Sequence, residues 1–459
     1  MKKNLGNLIK LSANELDDGY LDRTPIFQFM LLSLLIPLWA AAASLNNILI
    51  TQFKTIFELN NVTSAFVNSA FYLGYFVIAI PASRVIKKTS YKLAIIIGLS
   101  LFTIGCLLFF PASHLATYGV FLIALFAIAC GLSFLETSAN TFSTLMGPKK
   151  ASTVRLNISQ IFYPIGAVVG ILLGKYLVFN DGASLEVTMA KMHGAERLVY
   201  GQKMLQQTLL PYKYIVIVLL VAIIIFALTQ FPSGKPHQSV NIKQQKSVGI
   251  SETLRYLSHN KEFLKGIGTE FIYMGLQTSV WAYTIILAMS FSRDINERDA
   301  STFMVYTYIA FFVGKLLATA LMKKFPTAKV LFLFSIVGTL SLLYVTFVPS
   351  MTAIYFTILA SGLFGPGWPT IYSQTLNTIS DKRYTETAGA IVVMSIIGGA
   401  VTPVIQGFIA DKTGSTSLSF IVDVVSFAIV GIYALDYYRR YQTNNKETMS
   451  TENLAHNNN

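Results

Sequence analysis

Several polar side chains lie in otherwise apolar segments, where they could bind a proton or a solute. Glu136 is the clearest of them, because it directly follows a charge-free run that begins at Leu93. At 100° per residue its helical face also carries Ser133, Asn140 and Ser143. A carboxyl group is costly in an apolar environment while it is charged. We therefore expect Glu136 to bind a proton and to hydrogen-bond a hydroxyl-rich solute, the alternative being a permanently protonated glutamate that ties helices together.

A second polar stripe lies in the later part of the chain. Glu270, Tyr273, Gln277 and Trp281 fall within about 80° of one another on a helical wheel. An amide can bind sugar hydroxyls, and an aromatic ring can pack on the apolar face of a pyranose. The stripe therefore indicates a sugar-binding face, with ordinary helix packing as the alternative. Glu270 is a possible second acid, although near its helix end it could instead pair with a lysine.

Other polar and aromatic residues add to the candidate binding set. Asn46 and Asn47 are adjacent amides in one apolar segment, and Gln160 begins another. Trp368 and Tyr372 follow a Gly-Pro-Gly sequence that predicts a bend. Amides in a membrane helix usually face a polar cavity, so we expect these residues to line one.

Two further charged residues and the histidines have weaker signals. Lys315 and Asp423 lie within apolar segments without an obvious partner, and we interpret both as packing or lipid-interface features. The five histidines have no metal-ligand spacing. Neither a phosphate-binding loop nor a nucleophile elbow is found, so we predict no metal, no cofactor and no ATP-driven pump.

The composition requires that these residues be positioned by membrane-spanning helices. Hydrophobic residues make up 53% of the 459 residues and charged residues only 12%, which excludes a disordered chain and a soluble enzyme. A helix needs about 20 apolar residues to cross a bilayer. Twelve segments meet this length, and we place them at 25–50, 62–84, 92–111, 117–145, 154–179, 211–231, 265–291, 300–322, 328–348, 352–377, 385–410 and 416–438.

The basic residues predict the orientation of these segments. With the N-terminus in the cytoplasm, the cytoplasmic segments carry 25 Lys and Arg residues and the external segments 9. The net charge of +13 is therefore a topology signal rather than a sign of nucleic-acid binding. We expect a multi-pass protein of the cytoplasmic membrane with both termini inside, without a signal peptide in residues 1–24.

The polar stretches divide the chain into an all-α membrane protein of two six-helix halves. The predicted organisation is a cytoplasmic N-terminal segment (1–24), a six-helix bundle (25–231), a cytoplasmic linker (232–264), a second six-helix bundle (265–440) and a disordered cytoplasmic tail (441–459). The basic linker is either solvated or in contact with anionic lipid. Segments 165–169 and 397–401 resemble each other, as parallel repeats of six spans would.

Seven short sequences in both halves together resemble a known family. They are LNNIL (45–49), FYLGYF (71–76) with Pro81-Ala82, LET (135–137) with Ala139-Asn140, RLN (155–157) with Gln160, Gly275 with Gln277 and Trp281, PTI (369–371), and IIGG (396–399) with Thr402-Pro403. In these segments the chain is similar to the fucose permease branch of the major facilitator superfamily. The resemblance implies a major facilitator fold of twelve transmembrane helices and proton-coupled uptake of a hexose or 6-deoxyhexose. It also implies that Glu136 is the carboxylate for substrate and proton.

The sequence departs from this family at three positions. Asn47 stands where the family usually has an aspartate, Glu270 where it typically has glutamine, and Tyr163 where it has asparagine. Because an amide cannot carry a proton, coupling would depend on Glu136, with Glu270 as a possible second acid. Tyr163 joins the candidate sugar-binding residues.

The sequence thus predicts a monomeric alternating-access importer of a monosaccharide and protons. Alternatives are a uniporter without proton coupling, a transporter of glucose or galactose, an exporter of the same fold and a sugar-binding sensor without transport.

Overall fold

The computed structural model describes residues 10–58, 61–115, 117–177, 185–235, 249–291 and 297–457. The chain divides into two compact units. The first contains Met1–Phe263 and Thr375–Ala400, and the second contains Leu264–Gln374 and Val401–Asn459. The boundaries of the two halves expected from the sequence stay a prediction.

Helices form almost all of the described part of the first unit. In chain order they are α1 (Ile26–Ser33), α2 (Leu35–Ile56), α3 (Asn61–Lys88), α4 (Tyr91–Leu115), α5 (Tyr118–Leu145), α6 (Ser152–Gln160), α7 (Phe162–Leu177), α8 (Leu185–Ala190), α9 (Gly194–Thr208), α10 (Leu210–Leu228) and α11 (Ile250–His259), with α17 (Thr385–Met394) from later in the chain.

Small residues let α5 pack closely against α3 and α4. A Cβ atom on Gly74 would lie 2.6 Å from the Cβ of Ala129, and one on Gly131 would lie 2.4 Å from the backbone nitrogen of Phe102. Backbones can approach so closely only where no side chain intervenes, as is usual between membrane helices. The central position of α5 follows from these contacts, and α5 carries Glu136 and Asn140.

The second unit contains a broken helix. Its helices are α12 (Lys261–Phe291), α13 (Glu297–Met322), α14 (Thr327–Phe347), α15 (Thr352–Leu363), α16 (Gly367–Asn377), α18 (Gly398–Thr413), α19 (Thr416–Ser419) and α20 (Ile421–Asn457), of which α12, α16 and α18 cross a unit boundary. The three residues between α15 and α16 include Pro366, which has no N–H to continue the helical ladder. The bend expected after residue 364 therefore occurs as a break between two helices, here called the span-ten break (364–366).

The described residues include ten helical stretches long and apolar enough to cross a membrane. They overlap ten of the twelve segments expected from the sequence. The other two expected segments, 265–291 and 352–377, coincide with α12 and with the broken pair α15 and α16. The protein is therefore an all-α, multi-pass membrane protein.

Three local expectations differ from the structure. The span expected to end at residue 111 is longer, because α4 continues through Pro111 to Leu115, and membrane helices tolerate proline. The segment between the expected spans 154–179 and 211–231 contains the helices α8 and α9. The tail expected to be disordered continues α20 as far as Asn457, and no glycine or proline stands between 441 and 457 to end that helix.

Candidate functional site

Glu136 lies on α5 inside the first unit. Its side chain is buried, with 7% of the residue exposed, and Oε2 has no hydrogen-bond partner among the described residues. An unpaired carboxylate is costly in such an environment, whereas a protonated carboxyl group is tolerated. The burial is therefore compatible with the proton-binding role expected from the sequence.

Asn140 and Gln160 meet one turn further along α5. The Gln160 Nε2 donates to the Asn140 Oδ1 at 2.8 Å, which joins α5 to the C-terminal end of α6. The Asn140 Nδ2 is buried and has no partner in the described part of the chain. A buried donor without a partner loses about 1–3 kcal/mol of hydrogen bonding, which a sugar hydroxyl would restore. The expected polar face of α5 thus meets an amide from a neighbouring helix.

Two tyrosines complete the surroundings of Glu136. Tyr75 on α3 lies close enough to interact electrostatically with both Glu136 and Tyr163, the latter from α7. Ser133 on α5 donates to the backbone oxygen of Tyr75 at 3.0 Å, which fixes this part of α3 against α5. The sequence reasoning included Tyr163 but not Tyr75. The adjacent Gly74, where a Cβ atom would meet Ala129 of α5, was the available signal.

Arg155 holds the end of the helix that carries these groups. Its guanidinium is buried and donates to four backbone oxygens at the C-terminal end of α5, at 2.5 Å (Thr144), 2.6 Å (Pro148), 3.1 Å (Gly147) and 3.3 Å (Ser143). Ser143 and Thr144 lie in the last turn of α5, where carbonyl groups have no partner within the helix, and Gly147 and Pro148 lie just beyond it. Gly147 has a φ of 149°, and a Cβ there would lie 2.3 Å from the Thr24 hydroxyl. Arg155 therefore positions α5 and was not among the expected site residues.

In the second unit, the expected sugar-binding residues of α12 contact the span-ten break. The Tyr273 hydroxyl donates to the backbone oxygen of Phe364 at 2.8 Å, and the Gln277 Nε2 donates to that hydroxyl at 3.1 Å. A Cβ on Gly367 would lie 2.0 Å from the Tyr273 ring, so only glycine allows this approach. The polar stripe of α12 is therefore held directly against the helix break through Tyr273.

Trp281 also contacts the broken helix. Its Nε1 donates to the Ser361 hydroxyl at 2.9 Å, and its ring lies 4.7 Å from the Tyr308 ring and 5.3 Å from the Phe311 ring. Trp281 is thus held by α13 and α15, and only 8% of it is exposed. Trp368 and Tyr372 stack on each other with a centroid distance of 4.9 Å.

Two charged residues are buried in the same unit. Glu270 is fully buried, and neither carboxyl oxygen has a partner among the described residues, so the expected pairing with a lysine is not found. Lys315 is also buried, and its Nζ lies 4.6 Å from the centroid of the Phe311 ring. A cation over an aromatic face is attracted by the ring quadrupole. Lys315 is therefore a residue of the interior rather than of the lipid interface.

Asn46 and Asn47 lie in α2, but their side chains are outside the described residues. On the same helix, Trp39 is 1% exposed, and its Nε1 has no partner among the described residues. Sequence reasoning did not include Trp39. Its spacing of seven residues from Asn46 places the two on one helical face.

The arrangement thus offers two groups of polar and aromatic side chains, one in each unit. The group of the first unit has a buried carboxyl and an amide pair, of which one donor has no partner in the part of the chain that the structure describes. The group of the second has an amide, a tyrosine and a tryptophan fixed to a broken helix. Amides and aromatic rings with few charges suit a neutral polyhydroxyl solute, and an isolated carboxyl suits a proton.

Comparison with known sequences identifies a family and several relatives. Residues 26–289 and 269–455 match the family model described as Major Facilitator Superfamily. The chain is 32% identical over 418 residues to the L-fucose-proton symporter of Escherichia coli strain K12, which covers 91% of this chain and 94% of that protein. It is 30% identical over 411 residues to a glucose/galactose transporter of Brucella abortus, and this match covers 89% of this chain and 93% of that protein.

Comparison with solved structures gives the same relationship. The crystal structure of FucP, a Major Facilitator Superfamily transporter in the outward conformation, matches with a TM-score of 0.80 and 33% identity. The match covers 89% of this chain and 98% of that one.

Proposed function

Because the chain belongs to the Major Facilitator Superfamily, we propose that it is a secondary active transporter that imports L-fucose or a related hexose together with protons. Its matched relatives are named as an L-fucose-proton symporter and as glucose/galactose transporters. These are transporters and not enzymes, and the match extends over most of each chain.

The observation that supports proton coupling best is the isolated carboxyl of Glu136. Among the described residues its buried Oε2 has no hydrogen-bond partner, nor has the Nδ2 of Asn140 one helical turn away. When Glu136 takes up a proton, a buried charge is removed and the cost of closing the transporter around it falls. At the higher pH inside, the proton leaves, and the sugar is released with it.

Sugar recognition is assigned to the amide and aromatic groups of each unit. In the first unit these are Asn140, Gln160 and Tyr163, together with Asn46 and Asn47 of α2. In the second unit Tyr273, Trp281, Trp368 and Tyr372 provide rings, and Gln277 provides an amide. The Gln277 Nε2 donates one N–H to Tyr273, and its Oε1 can accept from a sugar hydroxyl.

A specific residue favours a second candidate function. Asn47 cannot carry a proton, and a transporter that lacked coupling would be a uniporter for the same sugars. A uniporter equilibrates sugar across the membrane but never accumulates it. The glucose/galactose relatives also make these two hexoses the alternative substrates.

Uptake of labelled L-fucose into proteoliposomes tests both proposals. With an imposed inward proton gradient, a symporter accumulates sugar above the external concentration, and a protonophore abolishes the accumulation. Unlabelled glucose and galactose as competitors report the substrate range. Equilibration without accumulation would replace the symporter by the uniporter.

The variant Glu136→Gln tests the assigned proton site. We expect it to lose accumulation and to keep sugar exchange between the two sides. Glu196→Gln is the matched control, because Glu196 is an exposed acid in the first turn of α9. Full accumulation by Glu136→Gln would remove Glu136 from the coupling mechanism.

We also propose that both termini are cytoplasmic and that the transporter works as a monomer. The excess of Lys and Arg in alternate loops supports this orientation. A single cysteine placed in the N-terminal segment should react with a membrane-impermeant reagent only after the membrane is opened. The molecular mass of the purified protein in detergent tests whether it is a monomer.

A further inference from the structure

Asp423 is a fully buried acid that the proposed transport mechanism does not use. It lies in the first turn of α20, is 0% exposed, and neither carboxyl oxygen has a hydrogen-bond partner among the described residues. A permanent charge here would cost several kcal/mol without a compensating cation. The positive end of the α20 dipole partly offsets that cost, so the charged form remains accessible.

One polar side chain from another helix lies beside this carboxyl group, and a second is hydrogen-bonded to the first. The Ser279 hydroxyl of α12 is close to Asp423 but donates its proton to the Gln406 Oε1 of α18. Ser279 and Gln406 are both 0% exposed, and the Gln406 Nε2 has no partner among the described residues. Because the only Ser279 proton goes to Gln406, the Ser279 oxygen can accept a hydrogen bond from a protonated Asp423.

Two further titratable groups, Tyr283 and Asp411, connect Asp423 electrostatically with the surface. Tyr283 on α12 interacts electrostatically with both Asp423 and Asp411, and Asp411 is exposed at the end of α18. The Tyr283 hydroxyl donates to the Pro403 backbone oxygen at 3.2 Å. Because the Tyr283 hydroxyl interacts with both an exposed and a buried carboxyl and can both donate and accept a hydrogen bond, it is the candidate relay for a proton.

The helix that packs along α20 supplies no counter-charge. The titratable groups within α14 are Lys329 and Tyr344. Lys329 lies over the Phe325 ring at 5.5 Å, and the Tyr344 hydroxyl is 2.9 Å from the Thr352 hydroxyl. No ion pair involving Asp423 occurs among the described residues, so a proton is the simplest species that can neutralise it.

We propose that Asp423 is a second proton-binding site of the transporter, loaded from the Asp411 end through Tyr283 and stabilised by Ser279 and Gln406. This inference rests on the proposed proton-coupled function. In the loading step one proton is added to a carboxylate oxygen of Asp423. The new O–H donates to the Ser279 oxygen, while the Ser279 proton stays with Gln406. The net result is one bound proton and the loss of one negative charge.

Infrared difference spectroscopy tests the site without sugar or transport. Purified protein in liposomes is compared between about pH 5 and about pH 9, a range that spans most carboxyl groups shifted by burial. We expect a protonated-carboxyl band that changes with pH, is missing in Asp423→Asn and persists in Asp436→Asn, a surface acid of α20. A difference spectrum that Asp423→Asn leaves unchanged would overturn the proposal.

A second variant keeps the test decisive if Asp423→Asn does not fold. Ser279→Ala retains the acid but removes the oxygen that would accept from it, so the carboxyl band should shift in frequency. Tyr283→Phe should slow the proton uptake that follows a pH jump and leave the band position unchanged. An unshifted band in Ser279→Ala would also overturn the proposal.

Transport stoichiometry then separates this inference from the proposed function. The number of protons moved per sugar is measured in proteoliposomes with a pH-sensitive dye inside. It should be one lower in Asp423→Asn than in the wild type, and the variant should retain sugar exchange. Equal ratios would overturn the role of Asp423 in coupling. If the wild type moved sugar without protons, the proposed symport would fail, and the infrared result would still decide whether Asp423 binds a proton.

Discussion

A methyl group at Gly314 should separate two helices of the second unit. A Cβ at this position on α13 would lie 1.7 Å from the backbone oxygen of Gly362 on α15. Carbon and oxygen normally approach no closer than about 3.3 Å. The helices would therefore have to move apart by roughly 1.6 Å at this point, since neither backbone can rotate out of the way.

The expected cost follows from this displacement. Overpacking of a well-packed interior usually costs about 1–3 kcal/mol, and a backbone obstacle places Gly314→Ala at the upper end, near 3 kcal/mol. The same displacement reaches the span-ten break, because Gly365 packs against the Gly314 backbone. It also moves Ser361, which accepts the hydrogen bond of Trp281. We therefore expect lower stability together with slower transport.

Gly268→Ala is the matched control for this substitution. Gly268 lies within α12 of the same unit, and a Cβ there would have no heavy atom within 4 Å. Alanine is favoured over glycine in a helix by up to about 1 kcal/mol, so this variant should be neutral or more stable. Thermal unfolding in detergent, followed by tryptophan fluorescence, measures both variants. A Gly314→Ala protein as stable as Gly268→Ala would refute the close contact between α13 and α15.

Three further predictions concern anchors and surface charge. Arg155→Ala should lower the free energy of unfolding by about 4 kcal/mol because four carbonyl oxygens lose a charged donor, whereas Arg197→Ala should cost under about 1 kcal/mol because its ion pair is exposed; chemical unfolding compares the two. Tyr273→Phe should remove the bond to the span-ten break and lower the sugar uptake rate several-fold, with unchanged uptake as the contrary result. The hydrogen bond from Arg383 lowers the pKa of Asp381 in the folded protein. The stabilisation by this bond is therefore present above the pKa of about 3.9 that Asp381 has in the unfolded chain, and it is lost as the pH falls through the lowered pKa of the folded protein. The melting temperatures of wild type and Arg383→Ala should therefore converge in acid, and a constant difference would contradict this linkage.

The membrane made much of the fold predictable from the sequence. Charge-free segments of sufficient length have few alternatives to spanning helices, so the approximate spans and the fold class could be inferred. Local detail was less predictable, because it depends on neighbours. Pro111 would end a helix in water, but here it lies inside α4. The sequence indicated a bend after Phe364, but not that the Tyr273 hydroxyl would hold it.

The sequence predicted which candidate residues share a helical face, but not which residues of other helices they contact. The wheel placed Asn140 on the face of Glu136, while its contact with Gln160 depends on how α5 and α6 cross. The role of Arg155 was unpredictable for the same reason, since the carbonyl groups that it binds become available only where α5 ends. The aromatic role expected of Trp281 stays a prediction, because its indole N–H and its ring contact the protein itself.

The distribution of buried acids bears on the absence of an aspartate at position 47. Glu136, Glu270 and Asp423 are each buried, and each has at least one carboxyl oxygen without a partner in the described part of the chain. A charged carboxylate in such a place costs several kcal/mol, and the whole stability of a domain is of order 10 kcal/mol. Three charged carboxylates together are therefore incompatible with a stable fold, so at least some of these groups must hold a proton. An amide at position 47 cannot carry a proton, whereas the first unit holds the buried acids Glu136 and Glu386 and the second holds Glu270 and Asp423. These acids are the groups on which the proposed proton coupling would depend in the absence of a titratable group at position 47.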